Sequence, residues 1–297
     1  TEQLAAINLV TPMQNIITNF GSGITVAGAV LIAQYIGAGE KEDARSMANQ
    51  IFACAMGFAV VCATLCFLGT PAIVNWLGAD GGTAYYARVY LRVVIWDMPF
   101  LYMVNIFSAV HQAQGDTVRP MFLNLGGITL NLFLDPFFMI ILNLGTAGAA
   151  LATLLAKAIP AIVAFGLLCR QENDICLNRK YMRLQKEKLG MILKIGLPTA
   201  IGGSTMQLGF LLMSKNVFVY GTEAMAAYGI GNKVNGLITL PSNAIGSATA
   251  TIVGQNMGAK QSDRAEKGYR FSMWISVVFL FIGGMILSRD MISTAIV

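Results

Sequence analysis

Charge is scarce in this chain and histidine is nearly absent. Of 297 residues only 12% are Asp, Glu, Lys or Arg, and His111 is the sole histidine. So few ionisable groups cannot give a globule a solvated shell, which excludes a soluble domain. The 56% hydrophobic content and mean hydropathy of +0.63 instead place the chain among polytopic membrane proteins. One histidine leaves no base for a Ser or Cys nucleophile, and Gly21-Ser22-Gly23 is not a G-x-S-x-G elbow. Gly37-Ala38-Gly39-Glu40-Lys41 lacks Walker spacing, so no nucleotide is expected to drive the protein. An enzyme is not expected, nor is a cofactor. Cys54, Cys62 and Cys66 fall at helical spacing in one apolar run, while Cys169 and Cys176 flank a basic loop without metal-ligand spacing. All five read as small packing residues.

The net charge of +5 does not point to nucleic acid, because the basic residues sit in short loops and not on one folded face. Eight apolar runs of roughly 20 or more residues lie near 10–36, 47–69, 88–111, 121–142, 146–169, 190–214, 231–257 and 268–288, each long enough to cross a ~30 Å hydrocarbon core. If the first runs outside to inside, nearly all basic loop residues, from Lys41 and Arg45 through Arg179, Lys180 and Arg183 to Lys267 and Arg270, fall on the inner side. That is the positive-inside pattern of a multi-pass protein of the plasma (inner) membrane. His111 is expected at the inner end of its helix, in solvent.

The chain repeats itself. Thr1-Glu2-Gln3-Leu4-Ala5-Ala6 reappears as Thr222-Glu223-Ala224-Met225-Ala226-Ala227, and the offset of 221 continues without a gap through Ile24/Ile245, Gln34/Gln255, Gly37/Gly258 and Ala44/Ala265. Duplicated helical bundles are the common plan of secondary transporters, with the binding site near the midplane. The expected domains are an N-terminal lobe at 1–170 lacking its first helix, a cytoplasmic inter-lobe loop at 171–188, and the first part of a C-terminal lobe at 189–297. By the same offset about 32 residues are expected before Thr1 and about 94 after Val297, so eight spans are read as a remnant of twelve.

One apolar run carries a carboxylate. Asp135 lies between Met121 and Leu142, where insertion into lipid costs roughly 2.5–3.5 kcal/mol. Asn131 precedes it by one turn on the same helical face, and Pro136 removes a backbone donor beside it, inviting a kink. Asp135 from Leu142, and Thr153 from Thr146, are the same distance along their helices, so both lie about 10 Å below the outer surface. The short connection Asn143-Leu144-Gly145 makes those helices antiparallel neighbours. A carboxylate, an amide and a hydroxyl at matched depth suit a cation or a proton. Asp97 and Lys157 lie at comparable depth and are expected to neutralise each other, the alternative being a direct Asp135–Lys157 pair.

Several stretches, taken in order, resemble the multidrug and toxic compound extrusion (MATE) family. They begin with Leu4-Ala5-Ala6 leading to Pro12-Met13-Gln14, then Gly37-Ala38-Gly39-Glu40 and Gly115-Asp116-Thr117-Val118-Arg119-Pro120-Met121. Gly145-Thr146-Ala147-Gly148-Ala149-Ala150-Leu151-Ala152-Thr153, Gly196-Leu197-Pro198, Ala226-Ala227-Tyr228-Gly229-Ile230 and Gly254-Gln255-Asn256-Met257-Gly258-Ala259 come after them. The resemblance implies an all-α, two-lobed bundle of twelve helices arranged as a V, of which this chain holds about eight. It implies export of organic cations or amphipathic drugs against H⁺ or Na⁺ by alternating access; a monomer in the lipid bilayer is expected. In the family's DinF-like branch the coupling residues would fall at Asn131, Asp135, Thr153 and Tyr90, with a further Asp on the helix preceding Thr1. The NorM-like branch has a Glu where this chain has Met206, beside Gln207, so the DinF-like arrangement is favoured. Met98, Tyr102, Met206 and Gln207 are the expected cavity residues, although Met and aromatic side chains at helical spacing equally suit packing. The alternatives are a lipid-linked oligosaccharide flippase of related architecture and a non-transporting structural membrane remnant.

Overall fold

The computed structural model describes residues 2–76, 81–170, 175–220 and 222–296, and these are helical almost throughout. The helices are α1 (Glu2–Gly37), α2 (Lys41–Trp76), α3 (Gly81–Val94), α4 (Met98–Ala113), α5 (Val118–Pro136), α6 (Gly145–Cys169), α7 (Lys186–Phe218), α8 (Thr222–Gly258) and α9 (Ser262–Ile296). Each of the eight apolar runs lies in helix, because a lipid-facing segment must satisfy its backbone internally. The run at 88–111 is broken once. A 3₁₀ turn, Ile95–Asp97, joins α3 to α4, just before Pro99, whose ring cannot accept an undistorted α-helical turn beneath it.

Among the described residues six stretches are long and apolar enough to span a membrane: Ile17–Gly37, Lys41–Asn75, Ala84–Ala113, Val118–Ile141, Ala147–Cys169 and Ser262–Met285. The other two expected spans lie in α7 and α8, whose 33 and 37 residues give ample length. Polar residues such as Lys194, Gln207, Lys233 and Asn243 dilute their hydropathy.

The chain forms two compact units, Thr1–Ile32 with Glu40–Gln207, and Ala33–Gly39 with Leu208–Val297. The core of the first is built where α2, α3, α4 and α6 meet, from Ala59, Ala63, Ala87, Leu91, Ile95, Met98, Tyr102 and Ala150 among others. Alanines let these helices approach closely, which in lipid supplies the packing that a hydrophobic drive would supply in water. α4 is buried along most of its length. α5, by contrast, buries only Pro120 and exposes Phe122, Leu125, Ile128, Leu132 and Phe133.

The loop after α6 departs from the expected solvated connector. Its residues 171–174 lie outside the described residues, but Ile175, Cys176 and Leu177 are buried. Two fully buried amides on α2 hold the loop backbone from Cys176 to Gln185. Asn49 Nδ2 donates to the Cys176 carbonyl (3.2 Å) and Asn49 Oδ1 accepts from the Asn178 N–H (2.8 Å). Gln50 Nε2 donates to the carbonyls of Tyr181 (2.8 Å) and Arg183 (2.6 Å), while its Oε1 accepts from the Gln185 N–H (2.9 Å). Lys188 adds a salt bridge to Asp43 at 2.9 Å. These bonds satisfy loop backbone that burial would otherwise strand, and they tie the start of α7 to the first unit. The compact units divide within α7, after Gln207.

His111 also departs from expectation. It is 3% exposed, its Nδ1 sits 2.9 Å from the Phe107 carbonyl, and its ring stacks on Phe107 with centroids 4.0 Å apart. A helix end that packs against neighbouring helices offers a histidine no solvent.

Candidate functional site

The polar residues of the first unit gather around α4, α5 and α6. On α5, Asn131 Nδ2 donates to Asp135 Oδ1 at 3.3 Å, the one-turn contact that their spacing dictates. Pro136 ends the regular helix, and Phe137–Ile141 continues as a π-helical turn. A proline N cannot bond the carbonyl one turn back, so the chain re-forms its ladder at wider spacing, with the Leu142 N–H reaching the Phe137 carbonyl (3.1 Å). Asn143 and Gly145 then take left-handed φ values of 52° and 54°, turning the chain tightly into α6.

On α6, the Thr153 hydroxyl donates to the Ala149 carbonyl at 2.9 Å. Its proton is committed to its own helix, and its oxygen is left as an acceptor. One turn on, Lys157 Nζ bonds Asp97 Oδ2 at 2.5 Å. The Lys157 side chain is 30% exposed while that of Asp97 is 1% exposed, so the pair runs from a wall into the interior. Gln14 Nε2 of α1 also donates to Asp97 Oδ2 (3.2 Å). Asp97 Oδ1 is buried with no hydrogen-bond partner among the described residues. The alternative pairing of Lys157 with Asp135 is not the one formed.

Tyr90, on α3, is 8% exposed within the core and lies within electrostatic reach of both Asp97 and Asp135. A cavity of about 250 Å³ opens between α4, α5 and α6, lined by Leu101, Val104, Leu123, Asn124, Gly127, Ile128, Asn131, Thr153, Ala156, Lys157 and Pro160. Asn131, Thr153 and Lys157 thus share one wall; Asp135 touches that wall through Asn131.

The four expected cavity residues are placed elsewhere. Met98 and Tyr102 have no exposed surface. Tyr102 fills the space beside Gly21, where an added Cβ would fall 1.9 Å from its ring, and donates its hydroxyl to the Ile17 carbonyl at 3.1 Å. Both are core residues, since hydropathy alone cannot say which face of a buried helix meets a cavity. Met206 is 64% exposed and Gln207 half-buried, on α7 and away from this wall.

Two residues of this region escape the sequence reading. Gln14 is legible as an amide in an apolar stretch. Asn124 can be found by spacing, since Asn124, Gly127, Asn131 and Asp135 recur every three or four residues and mark one polar stripe on α5.

The MatE family model matches residues 1–137 and 198–294. A probable multidrug resistance protein of Bacillus subtilis, YoeA, is 24% identical over 293 residues, covering 96% of this chain and 63% of its own length. A probable multidrug resistance protein of Thermotoga maritima, NorM, is 29% identical over 272 residues, covering 89% of this chain and 57% of its own. A crystal structure of MATE in complex with MaL6 superposes with a TM-score of 0.90 at 24% identity, over 94% of this chain and 62% of that one. The chain therefore spans about three-fifths of the length of the relatives it matches, and it shares their all-α, two-lobed fold. It is a polytopic membrane protein of a transporter family, not an enzyme family: with most of its residues covered by the family model, the chain belongs to the MatE family.

Proposed function

We propose that the protein is a secondary active efflux transporter of the plasma membrane, exchanging organic cations or amphipathic drugs for H⁺ or Na⁺ by alternating access. The observation that carries this reading is the position of Asn131. Its amide bonds Asp135 and the same side chain lines the cavity with Thr153, so a proton or cation taken up at Asp135 changes what the cavity wall offers a bound compound. The Thr153 oxygen, with its hydroxyl proton turned to Ala149, suits a cation. Tyr90, within electrostatic reach of both carboxylates, is read as the fourth residue that this chain contributes to the DinF-like set. Met206 occupies the position of the NorM-like Glu and offers no titratable group, which also favours that arrangement. The domains are read as an N-terminal lobe to residue 170, a connecting loop at 171–188, and the beginning of a second lobe from 189.

A coupling ion can only shift conformers by its differential affinity, and inverting a 99:1 population requires about 5.5 kcal/mol. Burial of a carboxylate at membrane depth can supply a large part of that difference. The test is Asp135→Asn in proteoliposomes with an imposed H⁺ or Na⁺ gradient. Gradient-driven efflux is expected to fall at least about tenfold with protein yield unchanged; full retention of coupling would overturn the role of Asp135. The flippase reading would require a broadly basic cavity, whereas Lys157 is the one basic residue in the described wall.

A further inference from the structure

Arg88 and Arg92 stand against the charge pattern of the chain. Most basic residues fall in loops expected on the inner side, whereas these two lie within the span Ala84–Ala113, near the end expected on the outer side. α3 turns Ala84, Ala87, Leu91 and Val94 into the core of the first unit, and all four are buried. On its other face Tyr85, Arg88 and Arg92 recur at helical spacing and are exposed, followed by exposed Trp96 in the 3₁₀ turn. Beside them α2 presents Asn75, Pro71 and Phe67, each exposed and one turn apart. Arg88 Nη2 donates to Asn75 Oδ1 at 3.1 Å. One turn further in, the Arg92 guanidinium lies over Phe67, 5.8 Å from the ring centroid, and Phe67 meets Trp96 with centroids 6.1 Å apart. The seam between α2 and α3 thus grades from an amide and two cations at its outer end to aromatic rings at depth.

We propose that this seam binds an anionic phospholipid of the outer leaflet, its phosphate held between Arg88 and Arg92 and its acyl chains lying along Phe67 and Trp96. The site is separate from the efflux reading, whose coupling set uses neither arginine. Like charges one turn apart on a helix repel, and arginine within an apolar span is costly to place. A phosphodiester between the two guanidiniums offsets both costs, because the guanidinium fork matches phosphate oxygens with charge-assisted hydrogen bonds. The engagements already made leave that chemistry in place. Asn75 takes one of the N–H groups of Arg88, and a guanidinium that covers a ring with its face keeps its N–H groups in plane for an acceptor. Below the phosphate, Phe67 and Trp96 offer flat apolar surface at the depth where acyl chains begin, the usual place of aromatic side chains at a membrane interface. A choline lipid carries the same phosphate but brings a trimethylammonium group beside two cations, so a lipid of net negative charge fits better.

Trp96 is itself a reporter of the seam. The chain has three tryptophans, and Trp76→Phe/Trp274→Phe leaves Trp96 as the sole one. This parent is reconstituted into phosphatidylcholine bilayers that contain either dibrominated phosphatidylglycerol or dibrominated phosphatidylcholine at the same mole fraction, and quenching of Trp96 fluorescence reads which lipid sits against it. The association constant of phosphatidylglycerol relative to phosphatidylcholine is expected to be at least about fivefold in favour of the anionic lipid. Arg88→Gln/Arg92→Gln should bring the two lipids to parity, which separates a site at these arginines from a general attraction of anionic lipid to a basic protein. Arg88→Gln and Arg92→Gln alone should each lower the preference at least about twofold, so the arginines remain testable if the double variant does not fold. Equal quenching by the two lipids in the parent would overturn the proposal. So would a preference that survives in the folded double variant, or, where that variant does not fold, in both single variants. Failure of both lipids to quench Trp96 would overturn it too, since the seam would then be covered by protein.

Discussion

Gly28 and Ile51 stand in the first copy of the repeat where Thr249 and Ser272 stand in the second. In the first copy the two form a notch and its filling. A Cβ on Gly28 would come within 2.8 Å of Ile51 Cδ1, and Ile51, Ala48, Ala55 and Ile32 are all buried. In the second copy the equivalent seam between α8 and α9 is an open cavity of about 480 Å³ whose wall includes Ser242, Thr249, Tyr269, Ser272 and Ser276. Thr249 turns its hydroxyl to the Ile245 carbonyl at 2.7 Å, so the side chain satisfies itself without a partner helix. One framework thus carries a dry interlock in one place and a hydroxyl-lined gap in the other. The tight seam belongs to the unit that also holds Asp135, Asp97 and Lys157, and a rigid frame is what keeps such groups at fixed separation.

The two copies agree where α1 and α8 cross. A Cβ on Gly37 would lie 1.9 Å from the Gln255 carbonyl oxygen, and one on Gly258 would lie 1.9 Å from the Gln34 carbonyl oxygen. Each glycine thus meets the backbone of the other copy's equivalent glutamine. No rotamer change relieves a clash with backbone, so Gly37→Ala and Gly258→Ala should each cost about 3 kcal/mol, the upper end for overpacking. The two losses should match within about 0.5 kcal/mol. Apparent Tm in detergent reads both. A tolerated Gly37→Ala, or a cost confined to one of the pair, would show that the repeat is geometric without being energetic.

Reciprocal grafting sharpens the contrast between the seams. Ile51→Ser removes a filled position and should cost about 2–3 kcal/mol through lost contacts and a cavity, the usual scale for such truncations. Ser272→Ile, at the same repeat position, enters open space and should change stability by less than about 0.5 kcal/mol. Equal losses in the same thermal assay would mean that the α8–α9 gap is filled in the working protein.

How much of the fold and the site is legible in the sequence depends on how far each contact reaches along the chain. The apolar runs are legible because a helix in lipid satisfies its backbone by itself. The Asn131–Asp135 contact is local, and depth counted along helices brings Asp97 and Lys157 to one level although 60 residues separate them. The clasp of Asn49 and Gln50 on the loop spans 127 to 135 residues, and two adjacent amides at the start of an apolar run carry no mark of what they hold. Size and softness suit Met98 and Tyr102 to a cavity, yet burial puts them in the core, since a helix buried on every side has no hydropathy pattern to orient it. His111 misleads for a related reason, that the end of a helix need not be the surface of the protein.

The smallest effect isolates the interlock itself. Gly28→Thr places a β-branched side chain against Ile51 and should cost about 1–2 kcal/mol by overpacking. Ile51→Ser clears the same space. Installed together, they reproduce in the first copy the Thr and Ser that the second copy already carries, and the methyl of the introduced threonine then occupies volume that the isoleucine has vacated. The double variant should therefore be less destabilised than the sum of the single changes by about 1 kcal/mol, a coupling within the range found for side chains in contact. A double-mutant cycle on apparent Tm measures it. Strict additivity would mean that Gly28 and Ile51 do not answer each other sterically, and the contrast between the two seams would then reside in the hydroxyls of α8 and α9 alone.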